Sequence, residues 1–176
     1  MPDLKDLIRT IPDFPKAGIM YRDITTLLSD AHGLAESIRQ LAAPYKGLGV
    51  TAIAGIDARG FIFGTGVALE LGIGFVPIRK KGKLPFKTYE QDYELEYGTD
   101  TLQIHADAVG PNDKVVLIDD LIATGGTAEA GIKLLQRTGC EISGAAFVID
   151  LPDLGGTQKI EDLGVPVRSL IAFEGH

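Results

Sequence analysis

Hydrophobic positions change their spacing along the chain, and each change marks an element. Leu34, Ile38, Leu41 and Ala42 recur at helical intervals and predict a helix over residues 31–44. The run "VTAIAGI" is near-continuously apolar and predicts a buried strand ending at Asp57. "DKVVLID" and "ISGAAFVID" predict two more, and "GFVPI" a short one. Helical patterns over 60–71, stopped by Gly72, and over roughly 127–138 separate them. "VPVRSLIAF" predicts a last edge strand. "DYELEYG" and "TLQIHA" alternate polar and apolar residues, as an antiparallel pair with one wet face would. Residues 3–10 read as a short helix. The two prolines and the glycine of "IPDFPKAGIMYRDIT" exclude helix there and imply turns. Apolar strands alternating with helices predict an α/β fold, a mostly parallel central sheet covered by helices on both faces. No repeat, low-complexity tract or linker interrupts residues 1–176, so one domain is expected.

Composition narrows this picture. The chain has 176 residues, 45 % of them hydrophobic, which suits one domain with a real core. The single cysteine, Cys140, excludes an internal disulfide and a cysteine-based metal cluster. His32, His105 and His176 stand in no ligand-type spacing. A formal net charge of -7 speaks against nucleic acid as the main partner. No apolar run approaches membrane-spanning length, and the first residues carry no signal-peptide pattern, so a cytoplasmic protein without a membrane partner is expected.

The chemistry concentrates in "VVLIDDLIATGGT". A buried strand runs into Asp119 and Asp120, then into Ala123-Thr124-Gly125-Gly126-Thr127 and a helix. Ligands of open α/β sheets bind at the carboxyl ends of strands. The free N–H groups and positive dipole end of the following helix favour an anion such as phosphate. The glycines let the backbone curl around it, and the threonines add hydroxyl donors. The stretch lacks the G-K-[ST] of a nucleotide-triphosphate loop and is not G-x-G-x-x-G. Acids beside a bound phosphate suit sugar hydroxyls or the water shell of a magnesium ion, which makes a phosphorylated sugar the inferred ligand. "GIDARG" forms a second corner, with Arg59 at a helix start. Read alone, Arg59 also fits a salt bridge to Asp57. Arg79, Lys80, Lys81, Lys83 and Lys87 gather five of the chain's seventeen basic residues into nine positions. Taken alone, they also fit a solvated basic loop.

The stretch from Val115 to Thr127 resembles the phosphoribosyl-diphosphate (PRPP) motif of the type I phosphoribosyltransferases. "FPKAGIMYRDIT", "AGIDARGFIFG", "IRKKGKLP" and "YELEYG" are similar to the adenine-using members of that family, in their order and at their spacing. The resemblance implies the family's fold, with an N-terminal hood (residues 1–30) over the base and a flexible antiparallel flap (79–105). It implies that residues 123–127 hold the 5-phosphate and that Asp119 and Asp120 face the ribose hydroxyls. Asp57, Ala58, Arg59 and Gly60 would form the pyrophosphate loop, with a cis peptide at Asp57–Ala58. Arg79, Lys80 and Lys83 would complete that cradle, partly from a neighbouring subunit of a homodimer. Glu96 would be the catalytic carboxylate and Tyr97 would close the flap with it; read alone, Glu96 is a residue on the wet face of a strand. Tyr21 and Leu121 would flank the base, with Met20 and Arg22 at its edge.

The implied reaction is adenine + PRPP → AMP + diphosphate, in purine salvage. No metal ligands are expected from the chain itself, magnesium being carried by PRPP and pyrophosphate. Two alternatives stay open: a transferase for xanthine or another purine, and a PRPP-sensing regulator that keeps the fold.

Overall fold

Of the short helix expected over residues 3–10, only a 3-10 helix at Leu4–Leu7 forms, and a strand begins at Arg9. In the computed structural model, which describes residues 3–95 and 97–175, a 3-10 turn at Leu4–Leu7 is capped by the Asp3 carboxylate, which accepts from the Lys5 amide at 3.1 Å. The chain extends as β1 (Arg9–Pro12) and returns as β2 (Met20–Asp23), antiparallel, with Arg9 opposite Asp23. Long-range pairing outweighs the local pattern here. Arg9 donates to Asp23 Oδ2 from Nε at 3.0 Å and Nη2 at 2.6 Å, and Arg22 Nη1 donates to Thr10 Oγ1 at 2.7 Å. The connecting turn holds a cis Phe14–Pro15 bond. This hairpin lies within residues 1–30, the stretch the resemblance assigns to a hood.

Two helices follow, α1 (Thr25–Leu28), which sequence spacing did not predict, and α2 (Ala31–Ala42), capped by Asp30 accepting from the Gly33 amide at 2.7 Å. Next come β3 (Ala52–Ile56), α3 (Arg59–Leu71) and β4 (Gly74–Lys80). Strand β4 outruns "GFVPI", so Arg79 and Lys80 lie on the sheet. The hairpin of β5 (Thr88–Leu95) and β6 (Gly98–His105) leads to β7 (Lys114–Ile122), which carries Asp119 and Asp120 within the strand. The chain finishes with α4 (Gly126–Thr138), β8 (Glu141–Asp150), a short α5 (Gly156–Glu161) and β9 (Val167–Ala172).

The seven-stranded sheet has the order β5-β6-β4-β3-β7-β8-β9. Strands β4, β3, β7, β8 and β9 are parallel; β5 and β6 are antiparallel. The β5–β6 hairpin, within the stretch expected to form the flap, is therefore part of the seven-stranded sheet. It continues the main sheet through the pairs Arg79↔Gln103 and Lys80↔Leu102. Alternate residues of the apolar strands serve opposite layers, which explains their lack of polar positions. Ile53, Val116, Ile118 and Val148 pack on one side with Phe63 and Val67 of α3 and Leu41 of α2. Ala54, Leu117, Ala145 and Phe147 pack on the other with Ile132 and Leu135 of α4 and Ile160 of α5. Phe63 and Phe147 are fully buried, each stabilising the fold by about 1.5–3 kcal/mol.

The chain passes from β3 outward to β4 and then back across to β7. The sheet thus changes winding direction between β3 and β7, and a crevice opens at their carboxyl ends.

Candidate active site

Two pockets share that crevice. The first, of about 330 Å³, is lined by the end of β3 with Asp57, Ala58 and Arg59, by Lys80 and Tyr93 of the flap, and by the continuous run Asp119 to Thr127. The second, of about 390 Å³, is mainly apolar. It lies between Met20, Tyr21 and Arg22 of β2 on one side and Leu121, Leu151 and Leu154 on the other. Arg59, Asp120 and Leu121 line both.

The loop from Ala123 to Gly125 brings β7 into α4. Gly125 stands at φ 87°, a left-handed conformation that a side chain disfavours. A Cβ there would also lie 2.8 Å from Gly156 Cα. The loop is shaped by α5, whose Gly156 amide donates to the Ala123 carbonyl at 3.1 Å. The first amides of α4 consequently face a polar pocket walled by two threonines, as an anion site requires. Gly60 lies beneath this pocket. A Cβ on it would approach Asp119 Oδ1 and the Ile118 carbonyl oxygen to 3.0 Å, so a glycine lets α3 close against β7.

Asp120 is 6 % exposed, and its Oδ2 accepts from Arg59 Nε at 2.5 Å. Arg59 thus pairs with Asp120, not with Asp57 beside it in sequence. The Asp120 charge and this hydrogen bond raise the guanidinium above its ordinary value. Asp119 Oδ1 accepts from the Asp120 amide at 2.8 Å. Burial first, and then the neighbouring Asp120 charge, push the Asp119 carboxyl well above the usual carboxylate range. Asp57 accepts from Arg79 Nε at 2.9 Å, and the Asp57–Ala58 bond is cis. Lys80 Nζ stands 3.2 Å from Asp100 Oδ2. Each of these three cations at the crevice therefore has an aspartate partner.

In the apolar pocket the Tyr21 ring meets Phe14 edge-on at 5.2 Å, and the Arg22 guanidinium lies 4.3 Å above the Phe173 ring. Both side chains are held from outside the pocket. Other expected site residues fall elsewhere. Gly60 and Arg79 line neither pocket; they support Asp119 and Asp57. Lys83 is exposed in the turn after β4. Tyr97 is 83 % exposed at the hairpin tip, with Lys16 Nζ of the hood 5.7 Å above its ring. Glu96 lies outside the described residues. Tyr93, Asp100, Leu151 and Leu154 had no local sequence signal; long-range pairing brings them to the crevice or its rim. Among the described residues no three or more His, Cys, Asp or Glu side chains group as a metal site, and no helix is long and apolar enough to cross a membrane.

A strand-to-helix loop beside two aspartates, next to an apolar slot, defines a class. The family model for the phosphoribosyl transferase domain matches residues 20–170, and the chain belongs to that family. It is 58 % identical over 173 residues to the adenine phosphoribosyltransferase of Maricaulis maris, covering 98 % of this chain and 99 % of that one. It is 61 % identical over 179 residues to that of Mesorhizobium japonicum, covering 99 % of each. Among solved structures it is similar to adenine phosphoribosyltransferase from Thermoanaerobacter pseudethanolicus, with TM-score 0.91, 48 % identity, and 97 % and 98 % of the two chains covered. The Giardia lamblia enzyme complexed with 9-deazaadenine gives TM-score 0.91 at 36 % identity, covering 98 % and 99 %. Likeness of this extent places the chain in the adenine phosphoribosyltransferase branch of the family.

Proposed function

We propose that this protein transfers the phosphoribosyl group of PRPP to adenine, giving AMP and diphosphate, in purine salvage. One observation carries the reading: an anion loop and an apolar slot meet at Asp120 and Leu121, so the anomeric carbon of a sugar held in one pocket faces a base held in the other.

The 5-phosphate sits on the loop from Ala123 to Thr127, with its amides and threonine hydroxyls, and the ribose hydroxyls face Asp119 and Asp120. The pyrophosphate lies toward Asp57-Ala58-Arg59 and Lys80. Its departure leaves an oxocarbenium-like sugar. Cations placed where charge develops lower that barrier. Asp57, Asp119 and Asp120 line the pocket, and among the described residues no three-ligand cage forms there. This donor set fits a magnesium ion brought in with PRPP, which Asp57 and Asp119 would help to hold. When bound, such an ion neutralises leaving-group charge. Adenine enters between Tyr21 and Leu121. Backbone groups of Met20 and Arg22 read its edge, and Glu96 and Tyr97 act from the flap. A backbone N–H beside a C=O matches N1 and N6 of adenine and mismatches an oxo-purine.

We further propose a homodimer, supported by Ile62 and Leu69, which leave apolar side chains 44 % and 77 % exposed on α3. Sedimentation at micromolar concentration checks it.

PRPP consumption with adenine, hypoxanthine, guanine and xanthine tests the activity. Adenine is expected to give the highest kcat/KM, and a preference for an oxo-purine would overturn the base assignment.

A further inference from the structure

Two of the three cation–aspartate pairs at the crevice, Arg59–Asp120 and Arg79–Asp57, use carboxylates that themselves line the polar pocket. The third differs. Lys80 lines the pocket, but its partner Asp100 lies outside the lining, on β6.

The backbone around this pair is fixed. Asp100 is the cross-strand partner of Tyr93, and Lys80 that of Leu102. The turn beyond Lys80 is tied to β6 twice. The Lys81 amide donates to the Thr101 carbonyl at 3.0 Å, and the Gly82 amide donates to Gln103 Oε1 at 3.1 Å. Asp100 is itself held, with Oδ1 accepting from the Thr101 amide at 2.8 Å and Oδ2 from the Tyr93 hydroxyl at 3.4 Å. The Lys80 side chain is 59 % exposed against 28 % for Asp100. The long lysine stem is thus the mobile member, and the short carboxylate is its anchor.

An anion entering the pocket competes with this anchor for the ammonium. Resting on the phosphoribosyl-transfer reading, we propose that Asp100 is a positioning residue that withdraws Lys80 from the pyrophosphate and so weakens retention of that product. Lys80 exchanges Asp100 for the pyrophosphate on binding and returns to Asp100 on release. An enzyme that must expel a multivalent anion gains turnover from such a competitor where product release limits the cycle, as it does in many enzymes.

The test is the dissociation constant of magnesium pyrophosphate, measured calorimetrically for wild type, Asp100→Asn, Lys80→Met and the double variant. Asn keeps the size of the side chain and its acceptor for the Thr101 amide while removing the charge. Asp100→Asn is expected to bind pyrophosphate about two- to five-fold more tightly, the worth of an exposed ion pair. Lys80→Met is expected to bind more weakly, and in its background the Asn substitution is expected to change nothing. Asp100→Glu, which restores the charge, is expected to return affinity toward wild type. Equal or weaker binding by Asp100→Asn overturns the proposal. So does tightening that persists without Lys80, because it would reflect net charge alone. A purely structural role for Asp100 would loosen adenine and pyrophosphate together. If wild type binds no pyrophosphate, the phosphoribosyl-transfer reading itself fails; if wild type binds and the variants do not differ, only the role of Asp100 fails.

Discussion

Replacing Gly125 by alanine puts the loop between β7 and α4 under a calculable load. The residue stands at φ 87°, and its Cβ would lie 2.8 Å from Gly156 Cα and 3.0 Å from the Gly156 carbonyl oxygen. The left-handed conformation costs an L-residue about 1–2 kcal/mol. Crowding against backbone that cannot rotate aside adds about 1–3 kcal/mol, for a total of about 2–5 kcal/mol. If the loop keeps its shape, the whole cost falls on folding. At about 2–4 °C per kcal/mol for a domain of this size, Tm drops by about 4–20 °C. If the loop yields, Tm is spared and PRPP binding weakens, by about 30-fold for a loss of about 2 kcal/mol. Scanning calorimetry and PRPP titration on the same preparation read both terms. Gly126→Ala is the control, since its Cβ would meet only the Glu94 carbonyl oxygen, at 3.9 Å, and its Tm is expected to stay within about 2 °C of wild type on the same scale. A Gly125→Ala protein with unchanged Tm and unchanged PRPP affinity would refute the assignment of strain and crowding to this position.

Three further outcomes are expected. Glu96→Ala should lower kcat by about 100-fold or more with PRPP affinity nearly unchanged; parallel losses in both would contradict a transition-state role. Asp119 is raised by burial and then by Asp120, so it subtracts stability at pH above the unfolded value of about 3.9, and the penalty fades as pH falls from the raised value toward that one. Asp119→Asn should therefore raise Tm at pH 7 while weakening PRPP binding, and a lower Tm at pH 7 would contradict the direction. Asp23, which anchors the hood, is held down to about 2 by the Thr25 hydroxyl and then by Arg9. Its contribution is complete above the unfolded value of about 3.9 and is lost as pH falls through about 2. The Tm deficit of Asp23→Asn should be present at pH 6 and gone near pH 2; a gap constant across that range would exclude the linkage.

The parts of the fold legible in the sequence are those whose signal is local. Strands β3, β7 and β8 are buried on both faces, so their composition alone declares them. The turn from Asp119 to Thr127 carries its chemistry in consecutive residues. The hood hairpin was not legible, because β1 and β2 are four residues each and owe their strand state to one another. Helix α5 was missed because it is one short segment that buries little beyond Ile160. Attachment of the flap to the main sheet rests on the pairs Arg79↔Gln103 and Lys80↔Leu102, which no local pattern encodes. The same reason hid the partner of Arg59. Its sequence neighbour Asp57 was the obvious candidate, whereas the sheet delivers Asp120, 61 residues away.

That last contact has a consequence for how two substrates meet. One guanidinium and one carboxylate stand as a party wall between neighbouring compartments, and each faces both tenants. Thermodynamic reciprocity then constrains any influence across the wall: whatever factor by which adenine strengthens or loosens the grip on PRPP, PRPP must return to adenine undiminished.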